Sequence, residues 1–176
     1  NIAMRTDGSL FSWGRDGSGH VSNTPTETGF RYMSAGSNHS CAIKADGSII
    51  CWGDNSSGQC NAPAGNDYVQ VAAGYVHSIA LKADGSIVGW GAVPEPIPAG
   101  NDFVDVTYKA FLRSNGSGIG WTHFYRVSYP PPAHPTGLST ISCGEYATIC
   151  VKTDGSLYAW GCLTGITPVP AGNNFF

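Results

Sequence analysis

Short apolar runs alternate along this chain with clusters of Gly, Asp, Asn, Ser and Pro. The clearest unit is Ala80-Leu81-Lys82-Ala83-Asp84-Gly85-Ser86-Ile87-Val88-Gly89-Trp90-Gly91. An Asp-Gly pair between two apolar runs predicts a β-hairpin, because glycine accepts the positive φ that the turn needs. The same phrase recurs at residues 4–14, 43–53 and 151–161, and in degraded form at 112–122. Its turn glycines are Gly8, Gly47, Gly85, Gly116 and Gly155, spaced 31 to 39 residues apart. A tryptophan follows each of them by five residues: Trp13, Trp52, Trp90, Trp121 and Trp160. All 5 tryptophans of the chain therefore occupy one repeat position, which marks an internal repeat.

A second phrase precedes the hairpins. It reads Met33-Ser-Ala-Gly-Ser-Asn-His39-Ser40, then Val71-Ala-Ala-Gly-Tyr-Val-His77-Ser78, and more loosely Ile141-Ser-Cys-Gly-Glu-Tyr-Ala147-Thr148. Pro-Ala-Gly-Asn recurs at 63–66, 98–101 and 170–173, whereas residues 122–140 follow no repeat rule. No stretch holds a 3.6-residue period free of Gly or Pro, so no helix is expected. Several short strands in a unit of ~40 residues predict an all-β chain, a β-propeller or open propeller segment. About five blades of ~38 residues form a single repeat domain over 1–176. The five tryptophans are expected in equivalent, largely buried positions between blades, where each ring supplies ~150–250 Å² of burial.

Composition narrows the function. Charged residues make up 12% of the chain, against about 25% in an average domain. A net charge of −3 argues against binding a phosphate backbone, which requires clustered cations. Arg5, Lys44, Lys82, Arg113 and Lys152 sit two residues before the turn Asp or Asn, as scaffold positions on hairpin exteriors. No run of 18 or more apolar residues is present, hence no membrane-spanning helix is expected. The sequence shows no signal peptide but opens inside a strand, which leaves open a leader that was removed or left out. Its 6 cysteines nevertheless suggest an oxidising compartment, so a secreted or cell-surface protein.

Cys41 and Cys51 are expected to form a cross-strand disulfide. A three-residue turn at 45–47 closed by a glycine bulge places them opposite each other. A two-residue turn would instead pair Cys41 with Trp52. Cys143 is expected near Cys162, while Cys60 and Cys150 have no obvious partner. None of the cysteine spacings matches a zinc pattern.

Candidate chemistry is sparse. His39 and His77 each precede a serine, but both fill one repeat position, and a catalytic pair needs a third orienting group and an oxyanion site. They are therefore taken as structural, with no catalytic residue assigned. The turn carboxylates of Asp7, Asp46, Asp84 and Asp154 lie one per blade, which suits turn chemistry better than a converging calcium site. His20, His123 and His134 fall in irregular loops, and nothing in their spacing demands a metal. No cofactor is expected.

Binding is then expected on the loops, which a rigid scaffold leaves free to vary. The richest stretch is Phe124, Tyr125, Arg126 and Tyr129, just before three prolines, because aromatic and arginine side chains dominate interface energetics. These aromatics could equally cover an irregular fourth blade. Arg15 and Asp54, which open the loops after Trp13-Gly14 and Trp52-Gly53, complete the candidate set.

The phrase Val71-Ala-Ala-Gly-x-x-His77-Ser78-x-Ala-Leu-Lys-x-Asp84-Gly85-x-x-x-x-Trp90-Gly91, with Asp54-Asn55-x-x-Gly58-Gln59, resembles the regulator of chromosome condensation repeat. The Asp-Asn-x-x-Gly-Gln loop and the nearby Pro-Ala are similar to the secreted propeller-type β-lactamase inhibitor proteins. The resemblance implies a propeller, typically seven-bladed, so the five hairpins are either a whole domain or part of a longer ring. The expected function is non-enzymatic, an extracellular recognition or scaffold propeller that binds a protein partner through its loops. The alternatives are inhibition of a secreted enzyme, which the resemblance implies, and a structural subunit of a surface, filament or virion assembly that binds further copies of itself. Residues 170–176 align with 63–69, and Asn1 aligns with Ser78, so the strand matching 70–77 falls between the two ends. The terminal edges are therefore expected to be covered, by further blades or by a neighbouring copy or partner.

Overall fold

The structure is a computed structural model, and it describes residues 1–121, 123–124, 127–128, 135–144, 147–161, 170–173 and 175. The described residues form strands, turns and loops, with no helix among them. They group into two compact units, Asn1–Asn101 and Asp102–Phe176.

Unit one holds a two-stranded sheet, β1 (Ile2–Met4) with β2 (Leu10–Ser12). Two three-stranded sheets follow. The first is β3 (Phe30–Ala35), β4 (His39–Lys44) and β5 (Ile49–Gly53); the second is β6 (Tyr68–Ala73), β7 (His77–Lys82) and β8 (Ile87–Gly91). Unit two holds β9 (Phe103–Val106), β10 (Ala110–Arg113) and β11 (Gly118–Gly120) in one sheet. It also holds β14 (Leu138–Cys143), β15 (Ala147–Lys152) and β16 (Leu157–Gly161) in another. Between these two lies a separate pair, β12 (His123–Phe124) with β13 (Val127–Ser128). In every three-stranded sheet the strands run antiparallel in chain order, so each sheet is one blade.

The turn chemistry explains the regularity. In the β4–β5 hairpin, Gly47 N donates to Lys44 O and Lys44 N donates to Ser48 O, both at 2.9 Å. That closes a three-residue loop with Gly47 at φ 88°. A side chain at 47 would also place its Cβ 2.0 Å from Asn66 O, so only glycine fits. The turn carboxylate finishes the loop: Asp46 Oδ1 accepts Ser48 N at 2.9 Å and Ser48 Oγ at 2.7 Å. Asp84 with Ser86, Asp154 with Ser156, and Asn115 with Ser117 repeat this pair of bonds. Ser48 holds the Asp46 carboxyl below the usual carboxylate range by the same two bonds. With three residues in the loop, Cys41 lies opposite Cys51. Their sulfurs are bonded across a Cα–Cα distance of 4.1 Å.

Each new blade is stitched to the turn before it. Phe30 N donates to Gly8 O at 3.1 Å, Tyr68 N to Gly47 O at 3.2 Å, and Leu138 N to Gly116 O at 3.0 Å. A bulge follows at once in β3, β6 and β14, which leaves Arg31, Val69 and Ser139 exposed.

Every blade has two faces, set by the period-two alternation of its strands. One carries the tryptophan; the other receives the tryptophan face of the next blade. Thus Ala42, Ile50 and Trp52 pack on Ile2 and Leu10 of the first hairpin. Ala80, Val88 and Trp90 pack on Cys41, Ile43 and Ile49. In unit two, Cys150, Tyr158 and Trp160 pack on Ala110 and Leu112. Trp121 is buried as well, edge-on to Phe111 with ring centroids 5.3 Å apart.

Trp13 departs from the expected equivalence. It is 45% exposed, while Trp52 and Trp160 are 7% exposed and Trp90 is 8%. The reason is positional: Trp52 and Trp90 are covered by the blade that comes before them, and among the described residues nothing covers the tryptophan face of the first hairpin.

Candidate functional site

The densest polar constellation lies in the seam between the β3–β5 and β6–β8 blades. His39 opens β4 and Ser78 sits at the start of β7, so the repeat phrase brings each to the same end of its blade. His39 Nε2 is 2.9 Å from Ser78 Oγ of the following blade. It does not engage Ser40, its neighbour in sequence. The Ser78 hydroxyl donates to Gln59 O at 3.0 Å, which leaves its lone pairs for a donor. His39 is therefore the Nε2–H tautomer and gives a hydrogen bond to Ser78. Trp90 Nε1 donates to the same Gln59 carbonyl at 2.8 Å. All of these side chains are buried.

This arrangement leaves the hydroxyl proton on a carbonyl rather than on a base. Burial, with a smaller push from the neighbouring His77, lowers the His39 pKa to about 4; Asp54 partly opposes the shift. The imidazole is thus neutral at pH 7 and acts as a clamp between blades. Its Nδ1 has no hydrogen-bond partner.

Gln59 presents that carbonyl because its own loop is fully tied. Its Nε2 donates to Asp54 Oδ2 at 2.9 Å, and its Oε1 accepts Ser57 N at 2.8 Å. Asn55 Oδ1 accepts Cys60 N at 2.8 Å. One blade earlier, His20 stands where Gln59 does, seven residues after the tryptophan. Asp16 Oδ1 accepts Val21 N at 2.7 Å there, and Trp52 Nε1 donates to His20 O at 3.1 Å. The shared device is an Asx-closed loop whose carbonyl receives the next indole N–H. The letters of the two loops do not disclose it, because a backbone carbonyl has no letter. The constant spacing from the tryptophan was the available signal.

The sequence candidates separate accordingly. Asp54 is half-buried and closes its own loop: its oxygens accept Ser56 N at 3.0 Å, Ser56 Oγ at 3.1 Å and the Gln59 amide. Arg15 is exposed. Phe124 lies on β12, while Tyr125, Arg126 and Tyr129 lie outside the described residues. The scaffold cations are paired beside the hairpins: Lys44 with Glu27 at 2.7 Å, Lys82 with Asp67 at 3.3 Å, and Arg113 with Asp102.

Cys143 carries a thiol, 3.0 Å from Thr107 Oγ1 and 3.1 Å from Thr148 Oγ1. Cys162, expected beside it, lies outside the described residues. Burial raises the Cys143 pKa, takes Cys150 up to about 12, and with the Asp54 charge takes Cys60 up to about 11. None of the three is a thiolate at neutral pH. Among the described residues no group of three His, Cys, Asp or Glu could hold a metal ion, and no helix is long and apolar enough to cross a membrane.

Residues 30–59, 68–92 and 139–162 match the regulator of chromosome condensation (RCC1) repeat. No curated protein sequence matches the chain significantly. Among solved structures, the entire ectodomain of the receptor kinase CR4 from Physcomitrella patens is 22% identical, with a TM-score of 0.77 over 97% of this chain and 52% of that one. The CRINKLY WD40 ectodomain of the Arabidopsis thaliana receptor kinase ACR4 is 24% identical, with a TM-score of 0.70 over 88% and 57%. Yeast RCC1 (Prp20), in a structure with Kap60 bound, is 19% identical, with a TM-score of 0.50 over 99% and 45%. The chain spans about half the length of the structures it matches. At such identities the likeness carries the fold alone, a β-propeller of repeat blades.

Proposed function

The chain carries regulator of chromosome condensation repeats, and from that premise we propose that it is a non-enzymatic recognition module, acting outside the cell, that binds a protein partner through its loops. The insertion at 122–134 is the principal contact. One observation carries this: among the described residues β12 and β13 pair with each other and with no blade sheet. At the blade seam, by contrast, His39 Nε2, the Ser78 hydroxyl and the Trp90 indole N–H are engaged in holding blades together. Two of the similar structures are receptor-kinase ectodomains, and the Cys41–Cys51 disulfide suits an oxidising compartment. Yeast RCC1 (Prp20), one of the similar structures, has Kap60 bound to it.

The test is a photo-crosslinking residue at position 124, with the cell-surface and secreted proteins of the source organism as bait. The expected result is one adduct of defined mass. It should vanish when 122–134 is replaced by a Gly-Ser stretch and persist when the exposed 63–66 loop is rewritten. An unchanged adduct after replacement of the insertion would remove the insertion from the binding surface.

A further inference from the structure

The hairpin turns place an aspartate at 7, 46, 84 and 154, but the β10–β11 turn carries Asn115 at that repeat position. Asp46, Asp84 and Asp154 each use one oxygen, Oδ1, to accept both the N–H and the hydroxyl of the serine two residues on. Asn115 Oδ1 does the same, accepting Ser117 N at 2.9 Å and Ser117 Oγ at 2.7 Å. Gly116 N donates to Arg113 O at 2.9 Å and closes the same three-residue loop. Asparagine therefore makes this turn by the same two bonds as aspartate. What it adds is the other atom of the fork, Nδ2, which makes no hydrogen bond among the described residues. Asn115 is exposed at the tip of the turn, next to exposed Ser114.

Asn115-Gly116-Ser117 is also an Asn-x-Ser triplet, the acceptor pattern for an N-linked glycan. The chain holds two more, Asn38-His39-Ser40 and Asn55-Ser56-Ser57, and the structure separates the three. His39 and Ser40 are 1% and 5% exposed, so the first triplet runs into the blade seam and its hydroxyl is shut away. Asn55 Nδ2 donates to Asn61 Oδ1 at 2.9 Å, while its Oδ1 accepts Cys60 N at 2.8 Å. A sugar there would stand on the nitrogen that ties the loop presenting Gln59 O. At Asn115 the nitrogen is free, exposed and on a turn tip.

We propose that Asn115 is a glycosylation site, carrying an N-linked oligosaccharide on Nδ2. The proposal rests on the reading that the chain acts outside the cell, because such transfer belongs to the eukaryotic secretory route. The donor class is an oligosaccharide on a lipid pyrophosphate. The bond from sugar C1 to the pyrophosphate oxygen breaks, a C1–Nδ2 bond forms, Nδ2 gives up one proton, and the lipid pyrophosphate leaves. Oδ1 is untouched, so both bonds from Ser117 survive the modification. The glycan also has a defined place. The hairpin runs from the turn at 114–116 to Trp121, so residues 122–134 begin at its other end. A glycan shields the turn end and leaves the insertion end open to a partner.

The experiment is peptide mapping of the full chain, separated from its source organism into exported and intracellular fractions. Each fraction is treated with an N-glycosidase in heavy-oxygen water, which converts a glycosylated asparagine into a labelled aspartate. The exported protein should carry the label at 115 and neither at 38 nor at 55. In chains expressed in the same organism, Asn115→Asp should abolish the glycan mass and keep the melting transition, since Asp46 closes the same turn. Ser117→Thr should keep both the triplet and the glycan. An exported chain with a bare Asn115, or with label at 38 or 55 instead, overturns the proposal and leaves the extracellular reading standing. A chain found only inside the cell, unlabelled, overturns both.

Discussion

At the scale of single residues the blade seam is governed by where a few protons sit. His39 gives its Nε2 proton to Ser78, which gives its own to Gln59 O. Replacing Ser78 by Ala removes an acceptor from a buried donor, which should cost about 1–3 kcal/mol in a urea titration. The His39 pKa of about 4 lies below its ordinary 6.5, so the unfolded chain binds that proton first. Stability from this group is therefore whole above pH 6.5 and declines as pH falls towards 4, by about 3 kcal/mol in all. Urea midpoints at pH 7 and pH 4.5 should differ by that slope in the wild type and by less in His39→Gln. An equal slope in the variant would assign the pH dependence to other groups. The sequence showed His39 and His77 as one repeat position. It could not show that the partner is a serine on the next blade, or that this serine in turn meets a main-chain carbonyl.

At the scale of the element, the hairpin was legible almost completely, because its determinants are local. Asp46-Gly47-Ser48 specifies the loop length, the loop length sets the register, and the register joins Cys41 to Cys51. Cross-linking a loop of this size stabilises by about 3 kcal/mol in the chain-entropy account. A Cys41→Ala/Cys51→Ala chain should lose up to that amount in denaturant, and intact-mass alkylation should trap exactly one fewer pair of protected cysteines. The burial of a tryptophan is not local, since it depends on the blade before it. That is why Trp13 broke a pattern that Trp52, Trp90 and Trp160 kept. Trp52→Ala should accordingly cost ~3–5 kcal/mol, the range for deleting a buried aromatic, while Trp13→Ala in dilute solution should cost less than about 1. Equal losses at the two positions would mean that Trp13 is covered in solution. The pairing of β12 with β13 was illegible for the opposite reason: residues 122–140 follow no repeat rule, so it had no template.

For the whole molecule, the repeat spacing disclosed blades but not how they cooperate. Stability in a repeat array is the sum of each repeat and its contacts with its neighbours. The clusters around Trp52 and Trp90 and the disulfide all lie within unit one, Asn1–Asn101. Unit two has its own cluster around Leu112, Ile141 and Trp160, and its described cysteines, Cys143 and Cys150, are thiols. The last stretch of unit one, Val93-Pro94-Glu95-Pro96-Ile97-Pro98, is rich in proline, and its Ile97 packs close to Gly89. Calorimetry of the chain should therefore show two transitions. A thiol reductant should move only one of them, the transition that the Cys41–Cys51 bond supports. A chain ending at Asn101 should reproduce that reductant-sensitive transition, with Trp52 and Trp90 still protected from a fluorescence quencher. A single transition that shifts as a whole under reductant would show the opposite, that the two units melt as one cooperative block and that the disulfide stabilises both.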